Sequence, residues 1–492
     1  MSVSNFGPAP GAAAAKRAPL PAASTMAATR PLRNEEPGSG VVIPGDGIQF
    51  MTTLTTRLSL CTAAAIAAAA LLAPSIDAQP THDRQWAQWR GPAGTGVSRT
   101  ATPPVEWSET KNIRWKVPIP GRSSSSPVIW GDRIFLLTAE AKDPASVAGL
   151  APRGSVPAPS LHKFIVMALD RATGKTVWQH VVREETPHER HQENGTWASS
   201  SAVTDGEIVI ASFESRGIYA FDLAGKKLWE KDLGDKLMRS QFGEGSTPTI
   251  HGQHVVAVWD HQGQSFIVAL DKKTGEERWR QPRSEIDTWA TPLVATVNGK
   301  AQVVTGAMNK MYGYDLETGA VLWTGPGLTM NPIPSPVFED GIAILMSGFR
   351  GNMARAVRLA DAKGDITGTP ALLWSYDRDT PYVPSPLLYD GIVYMLKTNN
   401  GILTTLDAKT GAPHYTLQRL DATPNIFSSP VGAAGRVYIT GREGTTLVLR
   451  HGPKYEVLAT NTLDDGFDAS AALVGDTIYL KGYRFLYAIG ER

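Results

Sequence analysis

The chain holds a single cysteine in 492 residues, Cys61. A disulfide scaffold, a cysteine-built zinc site and an iron–sulfur centre each need several thiols, so all three are excluded. A surplus of one charge is missing as well: 48 Lys and Arg face 47 Asp and Glu. Nucleic-acid binders normally carry a basic excess, so no nucleic-acid partner is expected. The apolar run Leu58 to Leu72 has 15 residues, short of the roughly 20 that span a bilayer. No transmembrane segment is therefore expected in the mature chain. A Gly-rich phosphate loop, a nucleophile elbow and a zinc-protease motif are also absent. What the chain has instead is punctuation, with 47 Gly and 35 Pro. That frequency favours short strands and turns over long helices.

Residues 1–50 are rich in Ala, Pro, Gly and Ser without an apolar period. Such a stretch buries too little surface to offset its ordering entropy, and a disordered extension is expected. Met51 then opens a polar stretch with Arg57, the apolar run, and the small-residue end "APSIDA". This is the layout of a secretory signal peptide over 51–78, with cleavage expected after Ala78 and translation expected to start near Met51. A periplasmic or secreted protein follows. Residues 79–112 read as a lead-in segment.

Beyond residue 113 the chain repeats. An "SP"-like opening, an Asp/Gly turn and a β-branched run recur at Pro127, Ala202, Pro248, Pro292, Pro336, Pro386, Pro430 and Ala471. A second element places Asp170, Gly174 and Trp178 four residues apart, and Asp271, Gly275 and Trp279 keep that spacing. Asp315, Gly319 and Trp323 do so too, and Asp407, Gly411 and Tyr415 keep it with another aromatic. The copy ending in Trp229 is one residue shorter, and around Trp374 and Tyr455 the element is degenerate. Each unit reads as four strands, since alternating β-branched residues between Asp/Gly turns are strand signals. The eighth unit lacks its Trp strand, while "NIRWKVPI" with Trp115 precedes the first. The arithmetic gives an all-β, eight-bladed β-propeller of four-stranded antiparallel blades over 113–492. The N-terminal strand completes the last blade. Seven blades or an open stack are the alternatives. Trp115, Trp178, Trp229, Trp279, Trp323, Trp374 and Tyr415 are read as inter-blade packing, because repetition serves the fold rather than one site.

The Ala-x-Asp-x-x-Thr-Gly-x-x-x-Trp element resembles the tryptophan-docking repeat of the pyrroloquinoline quinone (PQQ) propeller superfamily, which includes quinoprotein dehydrogenases and BamB-like assembly lipoproteins. The lead-in "WAQWRGPAGTGVS" is similar to exported PQQ-like propellers. The resemblance implies the fold strongly and the activity weakly, because site and fold are separable. In the dehydrogenases it implies PQQ and Ca²⁺ in the propeller funnel, an Asp base and often a disulfide of adjacent cysteines. One cysteine cannot form that disulfide.

Propeller topology puts the loops entering each innermost strand on one face, with the loops between second and third strands. That face is varied in sequence, whereas the Asp/Gly turns on the other are monotonous. Its entering loops carry the candidate funnel residues Arg122, Trp197, Arg239, Gln241, Glu244, Trp289, Asn331, Tyr382, Asn425 and Asp468, with Phe427. Arg442 and Arg484 stand on its other loops. Guanidinium, amide and aromatic groups converging there suit an anionic planar ligand, against the reading of a solvated channel mouth. Residues 139–162 read as one long Pro/Ala-rich loop that caps the funnel, meets a partner or is disordered. His188 and His191 are a weak metal suggestion, and His251 and His254 read as solvated turn residues. No catalytic or metal-ligating residue is assigned. The sequence reads as an exported non-catalytic scaffold of the cell envelope, offering its funnel face to a protein partner or small ligand. The alternative is a PQQ- and Ca²⁺-dependent quinoprotein oxidoreductase acting on alcohols or sugars.

Overall fold

The computed structural model describes residues 84–143 and 159–491. The expected extension over 1–50, the expected signal peptide over 51–78 and most of the long loop lie outside the described residues. Eight sheets of at least four strands form a ring, each innermost strand lying against the next and that of blade eight against that of blade one. Blade one comprises Val128–Trp130, Arg133–Ala141, His162–Asp170 and Thr176–Glu185. In blade eight, Ala472–Val474, Thr477–Lys481 and Phe485–Ile489 are joined by Ile113–Pro118 from the other end of the chain. The eight-bladed propeller closed by its N-terminal strand is thus the observed architecture, and every blade is antiparallel within its four strands.

The repeat explains itself in three dimensions. The Asp of each turn accepts local bonds: Asp170 Oδ1 takes the Thr173 amide at 2.9 Å and hydroxyl at 2.6 Å, and Asp407 treats Thr410 likewise at 2.8 Å each. The Trp of one blade then donates its indole N–H to the turn of the next. Trp115 reaches Arg171 O, Trp178 reaches Leu223 O, Trp229 reaches Lys272 O, Trp279 reaches Leu316 O and Trp374 reaches Ala408 O, at 2.8–3.2 Å. Glycine serves this dock twice. Gly275 has φ +72°, and a Cβ on it would lie 2.7 Å from the Trp229 ring.

Blade four departs from the rule. Trp323 bonds Gln302 Oε1 of its own blade at 2.8 Å, because blade five offers no regular turn to receive it. A short strand, Gly364–Asp365, runs parallel to the outer strand of blade four instead. Trp323 still packs among Ala343, Leu345 and Val357 of blade five. Tyr415, which has no indole N–H to donate, meets Tyr455 of blade seven edge-on at 6.2 Å.

Two expectations need correction. The long loop is shorter than 139–162, because Ala139 pairs with Phe164 and Ala141 with His162, extending the hairpin at its expense. His254 is not solvated: it starts a wholly buried strand, His254–Trp259, with Nε2 3.6 Å from Glu317.

The lead-in is built into the fold across the Asp/Gly face. Trp86 exchanges two backbone bonds with Ile129 of blade one, and Ala87 O accepts from Thr204 of blade two. Arg90 then crosses to the far side, where its guanidinium donates to Pro430 O at 2.9 Å, Pro386 O at 2.7 Å and Thr95 O at 3.3 Å. Thr95 O and Gly96 O accept from Leu388 of blade six and Gly432 of blade seven, and Val97–Ser98 pairs parallel to blade seven. Gly96 (φ +88°) lies so close to Arg90 that a Cβ would sit 2.3 Å from Nη2. The segment ties opposite sides of the ring together.

Candidate functional site

The "SP" openings place one hydroxyl per blade on the channel wall: Ser126, Ser201, Thr247, Thr291, Ser335, Ser385, Ser429 and Ser470. They are linked in one rotational sense. The Ser126 N–H donates to Ser201 Oγ and Ser201 N–H to Thr247 Oγ1. From Thr291 the chain of bonds continues through Ser335, Ser385, Ser429 and Ser470 back to Ser126, all at 2.9–3.1 Å. The eighth seat differs. Thr291 Oγ1 accepts from Trp89 Nε1 of the lead-in, at 3.0 Å.

Trp89 therefore partitions the channel. On the varied face lies a cup of about 180 Å³, floored by this hydroxyl ring and Trp89. Toward the turn face lies a second cavity of about 220 Å³, enclosed by the lead-in and blades two to five, and Trp89 lines both.

The cup brings together Glu244, Trp289, Tyr382 and Asp468 of the expected residues, with Phe427. Trp289 is fixed by donating to Gly243 O at 2.7 Å, and Tyr382 stacks on Phe349 at 4.7 Å. The other expected residues do not line it. Trp197 sits between the rings of His162 and His191, at centroid distances of 4.4 and 4.3 Å, with both histidines held below their usual pKa by burial. Arg239 pairs with Asp287 at 2.9 Å, and Asn425 donates to Glu443 at 2.8 Å. Asn331 is buried at φ +53°, whereas Gln241 and Arg122 are exposed, the latter 5.7 Å above the Tyr483 ring.

The charges at this face are spent on each other. Glu244 accepts from Arg216 at 2.6 Å and from the Ser215 amide at 2.9 Å. Asp468 takes both arms of Arg442 at 2.8 Å and the Tyr483 hydroxyl at 3.0 Å, and Arg442 lies over Phe427. Behind them, Lys236 meets Glu214 at 2.8 Å, where burial pushes the Glu214 carboxyl up. Arg283 and Asp260 form a fully buried bidentate pair. An anionic planar ligand would thus find Arg239 and Arg442 already neutralised. His188 and His191 each bond a backbone carbonyl, of Lys236 and Gln192, and no three His, Cys, Asp or Glu side chains converge on a metal-sized position among the described residues.

Sequence reasoning missed Trp89, the hydroxyl ring, and Gln192, Asn194 and Phe242 on the cup wall. The ring's signal was present as the recurring Ser or Thr of the openings, read there only as a mark of the repeat.

Over residues 162–365 the sequence matches the family model described as outer membrane protein assembly factor BamB. The BamB of Yersinia pestis is 22% identical over 294 residues, covering 58% of this chain and 59% of that protein. The chain is an eight-bladed β-propeller that is similar over 162–365 to the PQQ-repeat propellers. Methanol dehydrogenase [cytochrome c] subunit 1 of Methylobacterium organophilum is 26% identical over 151 residues, covering 25% of this chain and 23% of that one. Each of these matches spans less than two thirds of the relative's own length. The BamB structure from Moraxella catarrhalis superposes with a TM-score of 0.53 at 13% identity, covering 77% of this chain and 96% of that one. The quinohemoprotein alcohol dehydrogenase ADHIIG of Pseudomonas putida HK5 gives 0.50 at 11%, covering 84% and 77%. Both likenesses concern the fold. No helix among the described residues is long and apolar enough to cross a membrane.

Proposed function

We propose that this PQQ-like propeller is an exported, non-catalytic scaffold of the cell envelope, using the varied face to hold a protein partner or small ligand. The observation that carries this reading is the pairing of charge around the cup. A carboxylate that is to act as a base or ligate Ca²⁺ must be available, and Glu244 and Asp468 are each committed to an arginine and a further donor. The quinone cofactor of the alternative is a tricarboxylate, so it needs cationic donors as well as a Ca²⁺ site. The cup's nearest guanidinium groups, Arg216 and Arg442, are already engaged, and the donor set does not fit that group. The relatives described as assembly factors support a protein-binding role, and the signal-peptide layout from Met51 supports export.

The test is a titration of the full chain with PQQ and Ca²⁺, following quinone absorbance and melting temperature. A ligand at a hundredfold excess over Kd adds about 2.7 kcal/mol to stability. No shift is expected. Saturable binding with a raised melting temperature would replace the scaffold with the oxidoreductase.

A further inference from the structure

The cup has its charges paired and is lined by two kinds of surface. One is aromatic: Trp89, Phe242, Trp289, Tyr382 and Phe427 are each half-buried along its wall. Both indoles are pinned by their N–H bonds, so their faces are held ready rather than ordered on binding. The other surface is the hydroxyl ring. Every ring oxygen accepts an N–H, and no ring hydroxyl donates to an acceptor among the described residues. The hydroxyl protons are therefore uncommitted, although the ring residues are buried. Higher on the wall the Gln192 side chain has no hydrogen-bond partner among the described residues, while the Asn194 carbonyl accepts from Arg442 and its NH₂ stays free.

These features select among ligand classes. A hydrocarbon would cover the aromatic faces but leave buried hydroxyl donors unmatched, at roughly 1–3 kcal/mol for each. An anion would meet Glu244 and Asp468 with their counter-charges already used. Size restricts the choice further, since a cavity of about 150 Å³ admits one benzene ring, and this one measures about 180 Å³.

We propose that the cup binds one pyranose-sized ring of an uncharged carbohydrate. Its apolar C–H face lies against Trp89 or Trp289, and its oxygens accept from the hydroxyl ring and the free amides. This rests on reading the varied face as a binding rather than a catalytic surface. Trp89 is assigned as the floor of the site, contributed by the lead-in rather than by a blade.

Tryptophan fluorescence and ligand-observed NMR on the full chain test this with methyl glucoside, methyl galactoside and N-acetylglucosamine, against glucuronate and PQQ with Ca²⁺. Saturable binding of at least one neutral sugar is expected, weakened tenfold or more by Trp289→Ala and several-fold by Gln192→Ala. Gln192 lies on a partly exposed loop, so that variant keeps the test open should Trp289→Ala fold poorly. No neutral sugar binding at millimolar concentration, equal binding of glucuronate, or indifference to both substitutions overturns the proposal while leaving a protein partner on the rim intact. Binding of PQQ instead overturns the non-catalytic reading itself.

Discussion

The docking of Trp229 on Gly275 is a two-residue device, and its energetics are those of a shared contact. Trp229→Ala should cost about 3–5 kcal/mol, the usual range for a large aromatic removed from a packed site. Gly275→Ala should also destabilise, by about 2 kcal/mol or more, because alanine meets both a positive φ and the indole face. Urea unfolding of the double variant should show a loss smaller than the sum, since without the indole only the φ penalty remains. Lys481 gives a separate test. Burial lowers its ammonium to about 8, with one carbonyl, Ser123 O at 2.6 Å, as hydrogen-bond partner. A lysine unfolds to a pKa near 10.4, so between about 8 and 10.4 the unfolded chain binds more protons than the folded one. Stability from this group therefore rises with pH across that window. Lys481→Met should flatten the rise and raise the melting temperature near neutrality.

Among the elements, the lead-in acts as a strap, and Arg90 is its buckle. Replacing Arg90 by Leu takes the guanidinium donor from the Pro386 and Pro430 carbonyls, while Thr95 O keeps the Leu388 amide, and should cost at least about 2 kcal/mol. Arg90→Lys should not restore the loss, since an ammonium lacks the planar fork that spans acceptors on two blades. Hydrogen exchange reports this locally: the Leu388 and Gly432 amides, held by Thr95 O and Gly96 O, should exchange faster in both variants. This element also marks where sequence reasoning stopped. Blades were legible because Asp, Gly and Trp recur at fixed offsets, and each such residue answers to a neighbour of the same kind. Arg90 and Trp89 occur once, and their partners stand some 200–340 residues away in the chain. No local period encodes such contacts. The candidate loops could be assigned to a face by topology, but which of them reach the cup depends on side-chain direction. Arg239 and Asn425 turn to carboxylates nearby, whereas Trp289 and Tyr382 turn inward.

For the whole molecule, closure depends on Ile113–Pro118 covering Phe485–Ile489. Placing Asp at Ile113, Trp115 and Val117 together should release that strand and leave blade eight with a bare edge, which invites pairing between copies. Light scattering after size exclusion should then show self-association in place of a single species. A last consequence concerns the field inside the ring. Seven amide-to-hydroxyl bonds hand on from blade to blade in one rotational sense, and the Trp89 indole fills the eighth seat. Arrows set head to tail around a circle sum to almost nothing along its axis. Unlike a set of helix ends pointing into a pore, this ring of bonds itself contributes little axial pull or push on charge.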